Sequence, residues 1–193
     1  MGLSAAANAG ELAATSASAG QGLSILGNPL YLELFGGISE SPDLNWDGSD
    51  YSMDSGVNFG AAVGTALTEQ IDIELEGIYN EANYSGYPSE LRSLSIMANG
   101  YYNFPIYQSL SGYVGVGVGA MRVTYEWPST GDESDWVAAY QAVAGIRYPL
   151  SEKLSAFVEY RYLAAFDDAE LKGYGVDVEF KTNDISAGLR FSF

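Results

Sequence analysis

With 193 residues, 25 carboxylates against eight basic side chains, and neither cysteine nor histidine, the chain carries a net charge of −17. That length fits one domain. The missing residue types exclude disulfides, thiolate or imidazole metal centres and every catalytic triad that uses a histidine, and the acidity argues against nucleic acid, whose phosphates need a basic surface. Apolar residues make up 47% of the chain, yet no apolar run approaches the ~18–20 residues of a membrane-crossing helix; any bilayer crossing must be made by strands.

The chain opens on Leu3-Ser4-Ala5-Ala6-Ala7-Asn8-Ala9. Its Ala7-x-Ala9 ending has the small-residue pattern of a secretory signal cleaved after Ala9, although no basic start or full apolar stretch precedes it. Residues 10–28 are rich in Ala, Ser and Gly without periodicity, so residues 1–28 read as a flexible lead-in. From 29 to 193 the sequence alternates. Eight segments, near 30–39, 57–67, 71–80, 92–103, 112–126, 135–148, 154–166 and 179–193, carry apolar residues at every second position. Short connections (68–70, 104–111, 149–153) take turns with long ones (40–56, 81–91, 127–134, 167–178). An even number of strands with tight turns at one end and long loops at the other predicts an all-β fold: an eight-stranded, antiparallel, up-and-down transmembrane barrel with both termini on the turn side.

The faces follow from the period of two. In the third segment Ile71, Ile73, Leu75 and Tyr79 alternate with Asp72, Glu74 and Glu76; in the seventh Val158, Tyr160 and Tyr162 alternate with Phe157, Glu159 and Arg161; in the last Ile185, Ala187, Leu189, Phe191 and Phe193 alternate with Asp184, Ser186, Gly188, Arg190 and Ser192. A one-residue slip would exchange the faces and place Arg161 in lipid at a cost of roughly 2–4 kcal/mol. The charged face therefore points inward. A soluble ligand-binding barrel would show the reverse, an apolar interior under a wetter surface. The fifth segment is the difficult one: the register of Val114, Val116 and Val118 puts Arg122 outside unless a bulge intervenes near Ala120. Aromatic rings are expected at the two membrane interfaces, Tyr102, Phe104, Tyr107, Tyr113, Tyr148 and Phe193 at the turn end, and Tyr79, Tyr125, Trp127, Trp136 and Phe166 at the loop end.

Four stretches carry a family likeness: Tyr113-Val-Gly-Val-Gly-Val-Gly119, Gln141-Ala-Val-Ala-Gly-Ile-Arg-Tyr148, Phe157-Val-Glu-Tyr-Arg-Tyr162 and Gly188-Leu-Arg-Phe-Ser-Phe193. In this order they resemble the small outer-membrane β-barrels of Gram-negative bacteria, the group of the opacity-type surface proteins and the transmembrane domain of outer-membrane protein A. The resemblance spans residues 30–193 and implies an outer-membrane location and a terminal Phe193 that serves as the signal read by the barrel-insertion machinery; the barrel is expected to be a monomer. It implies no shared enzymatic activity. The sequence stops at Phe193, so no peptidoglycan-binding domain of the outer-membrane protein A kind is expected, nor the wall tethering that such a domain provides.

Three groups of residues are candidates for function. The first is a lumen charge network, Glu33, Asp72, Glu74, Glu76 and Glu159 against Arg147, Arg161 and Arg190. In a bore just wide enough for side chains it reads as an ion-paired plug, with a narrow gated channel for ions or small solutes as the alternative. The second is Asp43-Leu-Asn45-Trp-Asp47-Gly48-Ser-Asp50-Tyr-Ser-Met-Asp54, which matches calcium-loop spacing with Asp43, Asn45, Asp47 and Asp54 as ligands, although Asp54 stands where a Glu is usual. Without flanking helices it reads first as an acidic surface loop, with Ca2+ binding as the alternative; apart from Ca2+ there, no cofactor is expected. The third is the acidic loops, with Asp132, Glu133, Asp135, Asp167, Asp168 and Glu170, which could bridge through divalent cations to lipopolysaccharide or attract a basic host or cell-surface partner. An enzyme is disfavoured. Without histidine the remaining nucleophile arrangement is a Ser–Lys pair, and Lys153, Lys172 and Lys181 all fall in or beside connections. The expected protein is a structural or surface-interaction barrel in contact with outer-membrane lipid and lipopolysaccharide.

Overall fold

The computed structural model describes residues 24–25, 27–40, 44–46, 49–51, 55–83, 90–127, 131–166, 169–171, 176–178 and 180–193. Eight long strands, β1 (Asn28–Glu40), β2 (Gly56–Ala66), β3 (Ile71–Asn83), β4 (Glu90–Tyr107), β5 (Leu110–Trp127), β6 (Gly131–Pro149), β7 (Leu154–Ala165) and β8 (Lys181–Ser192), each pair antiparallel with the next. The sheet closes because β8 also pairs with β1, from Asn183 opposite Glu40 to Ser192 opposite Tyr31. The amide of Phe193 completes the seam by donating to the carbonyl of Leu30 at 3.0 Å. Closure leaves the barrel wall no free edge.

The stagger can be read from the pairings. Starting at Leu30 and stepping across the sheet through Thr65, Ile73, Gly100, Val116, Ala142, Tyr162 and Asn183, the path returns to β1 at Glu40, ten residues along. Strands so staggered tilt by roughly 35–45°, and eight of them enclose a bore that side chains alone can fill.

The outward face is apolar. Leu34, Ile38, Phe59, Leu75, Ile96, Val116, Val118, Val158, Ile185 and Leu189 are all exposed, a girdle that would drive aggregation in water and that lipid satisfies. The inward positions of the same strands are buried and hold the charges, which excludes the soluble-barrel pattern. Arg122 points outward: β5 runs without a register shift through Ala120, so the bulge considered for that position is absent, and the guanidinium instead donates to Ser134 Oγ at 2.9 Å near the loop end.

Two connections differ from expectation. β4 and β5 run on past their other neighbours at the turn end and meet at Gln108-Ser109, where Gln108 takes a φ of 47°, so most of 104–111 is ladder and not loop. At the loop end β5 and β6 extend to Trp127 opposite Gly131, so 127–134 is largely a hairpin of paired strands that overhangs β7. At the turn end this pairing continues where the neighbouring strands have already turned; at the loop end β6 runs beyond the end of β7 while β4 stays paired with β5 as far as Glu90 opposite Glu126. Short pairs also form between Ser24–Ile25 and Asn28–Pro29, between Leu44–Trp46 and Ser49–Tyr51, and between Ala169–Leu171 and Val176–Val178. The first of them lies within the segment read as a lead-in.

Inside, five aromatic rings lie on the glycine directly opposite them on the next strand: Tyr31 on Gly64, Phe35 on Gly60, Tyr101 on Gly115, Tyr113 on Gly145 and Phe157 on Gly188. A Cβ built on any of these glycines would come within 2.3–2.4 Å of its ring. The glycine's missing side chain is the space that each ring occupies. Tyr113 has little room to yield, since its hydroxyl donates to Glu159 at 2.9 Å and Arg147 lies over its face. Gly145→Val is therefore expected to destabilise the refolded barrel by roughly 1–3 kcal/mol in urea titration, while Gly100→Ala, on the outward face with nothing within 4 Å of its Cβ position, leaves the midpoint nearly unchanged. Equal costs at the two sites would remove ring-on-glycine packing from the account.

Candidate functional site in the barrel interior

Alternation sends Glu33, Asp72, Glu74, Glu76, Glu159, Arg161 and Arg190 into the bore, each buried, with Arg147 at its half-buried rim. They form two connected clusters. Near mid-height, Arg161 of β7 makes a two-point pair with Glu76 of β3, at 2.7 and 2.6 Å, and a third contact with Glu159 at 2.6 Å. Strands β3 and β7 lie half-way round the barrel from one another, so the pair is a strut across the bore. Gln141 donates to Glu76 at 2.8 Å and to Asn99 at 2.7 Å, Asn99 donates to Glu76 at 3.2 Å, and Tyr113 closes the far side on Glu159. Toward the turn end, Arg190 bonds Glu33, its direct cross-strand neighbour, and reaches Asp72 at 2.9 Å. Arg147 adds contacts to Glu33 at 3.4 Å and Asn103 at 3.3 Å. Glu74 sits between the clusters and accepts from Tyr101 at 3.3 Å and Asn99 at 3.4 Å, with no ion pair among the described residues.

Aromatic faces cover the cations: Arg190 lies 3.5 Å from the Tyr31 ring centroid, Arg147 4.7 Å from Tyr113 and Arg161 4.8 Å from Phe35. Buried charges are costly unless paired and hydrogen-bonded; here amides, phenols and ring faces supply part of what the carboxylates do not, while Arg161 Nε, Arg147 Nε, one terminal nitrogen of Arg190 and Glu74 Oε2 have no hydrogen-bond partner among the described residues. Of these supporting residues the sequence places Gln141 on the polar face of its strand but misses Asn99, Tyr101 and the rings over the guanidiniums. Tyr113 in particular was assigned to the turn-end interface; it is an inward residue, in phase with Gly115 and Gly117, and that phase was the available signal. The interior is also less uniformly polar than expected. Its loop-end half is lined on one side by Met97, Met121, Val123, Val137, Ala139 and Leu163, all buried.

Of the candidate calcium loop, Asp43, Asp47 and Asp54 lie outside the described residues, while Asn45 sits opposite Asp50 in the short Leu44–Trp46 pair. Among the loop acids, Asp167 and Asp168 lie outside the described residues, and Asp135 accepts from the Trp136 amide at 2.8 Å. No cluster of three or more metal-ligating acids occurs among the described residues. Lys172 is outside the described residues. Phe193 stands at the seam, its ring edge-on to Phe191 at 5.3 Å.

A closed eight-stranded barrel with a lipid-compatible outside and an ion-paired inside is a transmembrane β-barrel of the outer-membrane kind. The chain belongs to the outer membrane protein beta-barrel domain family, whose model matches residues 3–193, and it is accordingly a protein of the bacterial outer membrane. Uncharacterized proteins of Brucella suis and Brucella melitensis are each 25% identical to it over 83% of this chain and 75% of their own length. In fold it is similar to Neisserial surface protein A (TM-score 0.67, 14% identity, 85% of this chain and 97% of that one). It is also similar to Ail, the attachment invasion locus protein of Yersinia pestis, in complex with the heparin analogue sucrose octasulfate (TM-score 0.53, 15% identity, 85% and 99%). The N-terminal barrel domain of Pseudomonas aeruginosa OprF gives a TM-score of 0.51 at 19% identity, over 86% of this chain and 98% of that domain.

Removing one partner of a buried pair leaves the other charge uncompensated. Arg161→Ala should cost roughly 3–5 kcal/mol on that ground, and a double change with Glu76→Gln should recover part of the loss. Urea unfolding of the four proteins in detergent measures the coupling; additive losses would mean that the strut does not act as a unit.

Proposed function

We propose that this protein is a non-enzymatic surface barrel whose loops make the contacts and whose bore stays closed. The observation that carries the second half is the Arg161–Glu76 strut with its surrounding amides, which crosses the bore at mid-height with Arg161 1% exposed. A conducting path would need that arrangement to open against the cost of an unpaired buried charge. Planar-bilayer recording of the refolded barrel is expected to show no steady conductance, in the parent protein or in Glu159→Gln. Sustained open-channel currents that change with the lumen variant would establish the narrow-channel reading instead. The enzyme reading has no support from residue chemistry, since the sequence holds no histidine.

For the loops we infer a basic partner, or lipopolysaccharide bridged by divalent cations. The net charge of −17, with Arg147, Arg161 and Arg190 committed to the interior, leaves an outer surface that repels polyanions. Ail was crystallised with a heparin analogue; this barrel should not bind heparin at physiological ionic strength, and should retain a cationic peptide or protein with strong salt dependence. Surface plasmon resonance against immobilised barrel compares the two. Tight heparin binding, or cationic ligands held equally at high salt, would rule out the electrostatic reading of the loops.

A further inference from the structure

The loop-end half of the bore has two unlike walls. Opposite the apolar side chains of β5 to β7, small polar residues of β8, β1, β3 and β4 line the bore, interrupted by the buried Ile78 and Met97. Among the described residues, six of this wall's buried side-chain atoms have no hydrogen-bond partner: both amide atoms of Asn80, Ser93 Oγ, Ser95 Oγ, Thr182 Oγ1 and Asp184 Oδ2. All five residues are at most 4% exposed. The layer below is different, for there Asn58 accepts from Ser186 at 2.7 Å and donates to the Ile38 carbonyl at 3.0 Å.

Asp184 is the centre of this wall. Ser39 donates to its Oδ1 at 2.6 Å, and Thr182 and Asn80 approach the same carboxylate as its further polar partners. Arg161 faces it across the ladder but directs its terminal nitrogens to Glu76 and Glu159 and makes no ion pair with it. That triad already carries one excess negative charge. Counting Asp184, the described residues place six carboxylates in the bore, Glu33, Asp72, Glu74, Glu76, Glu159 and Asp184, against the guanidiniums of Arg147, Arg161 and Arg190.

We infer that this wall binds one alkali-metal cation, held by Asp184 Oδ2, the Asn80 amide oxygen and the Thr182 hydroxyl. Each orphaned polar atom costs about 1–3 kcal/mol unless something satisfies it. The unpartnered atoms are oxygens except for the Asn80 amide nitrogen, the donor set of a hard ion. A single carboxylate among neutral oxygens suits one positive charge better than the two of calcium or magnesium, whose sites gather more carboxylates. The acidic loops raise the local cation concentration around the barrel.

The test is thermal unfolding of the refolded full chain in zwitterionic detergent, in sodium, potassium or choline chloride at one ionic strength and pH. Screening is common to all three salts, so a difference between them reports a site. The midpoint should be higher in sodium or potassium than in choline, rising by roughly 3 °C or more for each tenfold of free cation above half-saturation. Asp184→Asn and, as a milder change, Thr182→Val should abolish that difference, while Asp135→Asn at the rim retains it. Identical midpoints in the three salts would overturn the inference in favour of a protonated Asp184 or bridging water. A cation response that survives both substitutions would overturn it by placing the ion elsewhere. If Asp184→Asn does not refold, Thr182→Val alone decides between these outcomes.

Discussion

The interior is organised around Arg161 and Glu76, which meet from opposite sides of the barrel. Taking either charge out of water is expensive, and their attraction offsets that cost only with good geometry and with every remaining donor and acceptor engaged. Gln141, Asn99, Glu159 and Tyr113 supply those engagements from four different strands. The strut therefore fixes more than one distance. It requires β3, β4, β5, β6 and β7 to hold one register together, and the glycines at 115, 117 and 145 are what allow the rings and amides to reach it.

Much of this was legible in the sequence because a membrane barrel imposes a simple rule on every strand. Lipid outside and a narrow bore inside leave no position neutral, so Ile73 and Leu75 against Glu74 and Glu76 state the face without ambiguity. The eight strands, their faces and the inward course of the lumen charges followed from that rule. The reading was weaker wherever the rule lapses. Where β6 runs past the end of β7 it loses its partner on one side, and the sequence reads a loop over 127–134 where β5 and β6 are still paired.

Aromatic residues were the other difficulty. Tyr113 and Tyr102 look alike in composition, and both stand near strand ends; one fills the bore and the other faces outward. Phase separates them, since Tyr113 shares its face with Gly115 and Gly117 whereas Tyr102 is flanked by inward Tyr101 and follows outward Gly100. Which partner each inward residue would find was beyond a linear reading. The partners of Glu76 come from strands one, three and four places round the barrel, and only the ten-residue stagger brings them to one height.

That stagger gives the seam a particular role. β1 and β8 are the ends of the chain's meander, so their pairing is the contact with the greatest sequence separation and the loop whose closure costs most entropy. A slip of two residues there would keep every side chain on its proper face, yet it would alter the girth of the barrel and carry Arg190 away from Glu33. Hydrophobic patterning is blind to such an error. The charges in the bore are not, and they act as a gauge: the ring of strands can shut comfortably at one circumference, the one at which its interior salt links all meet.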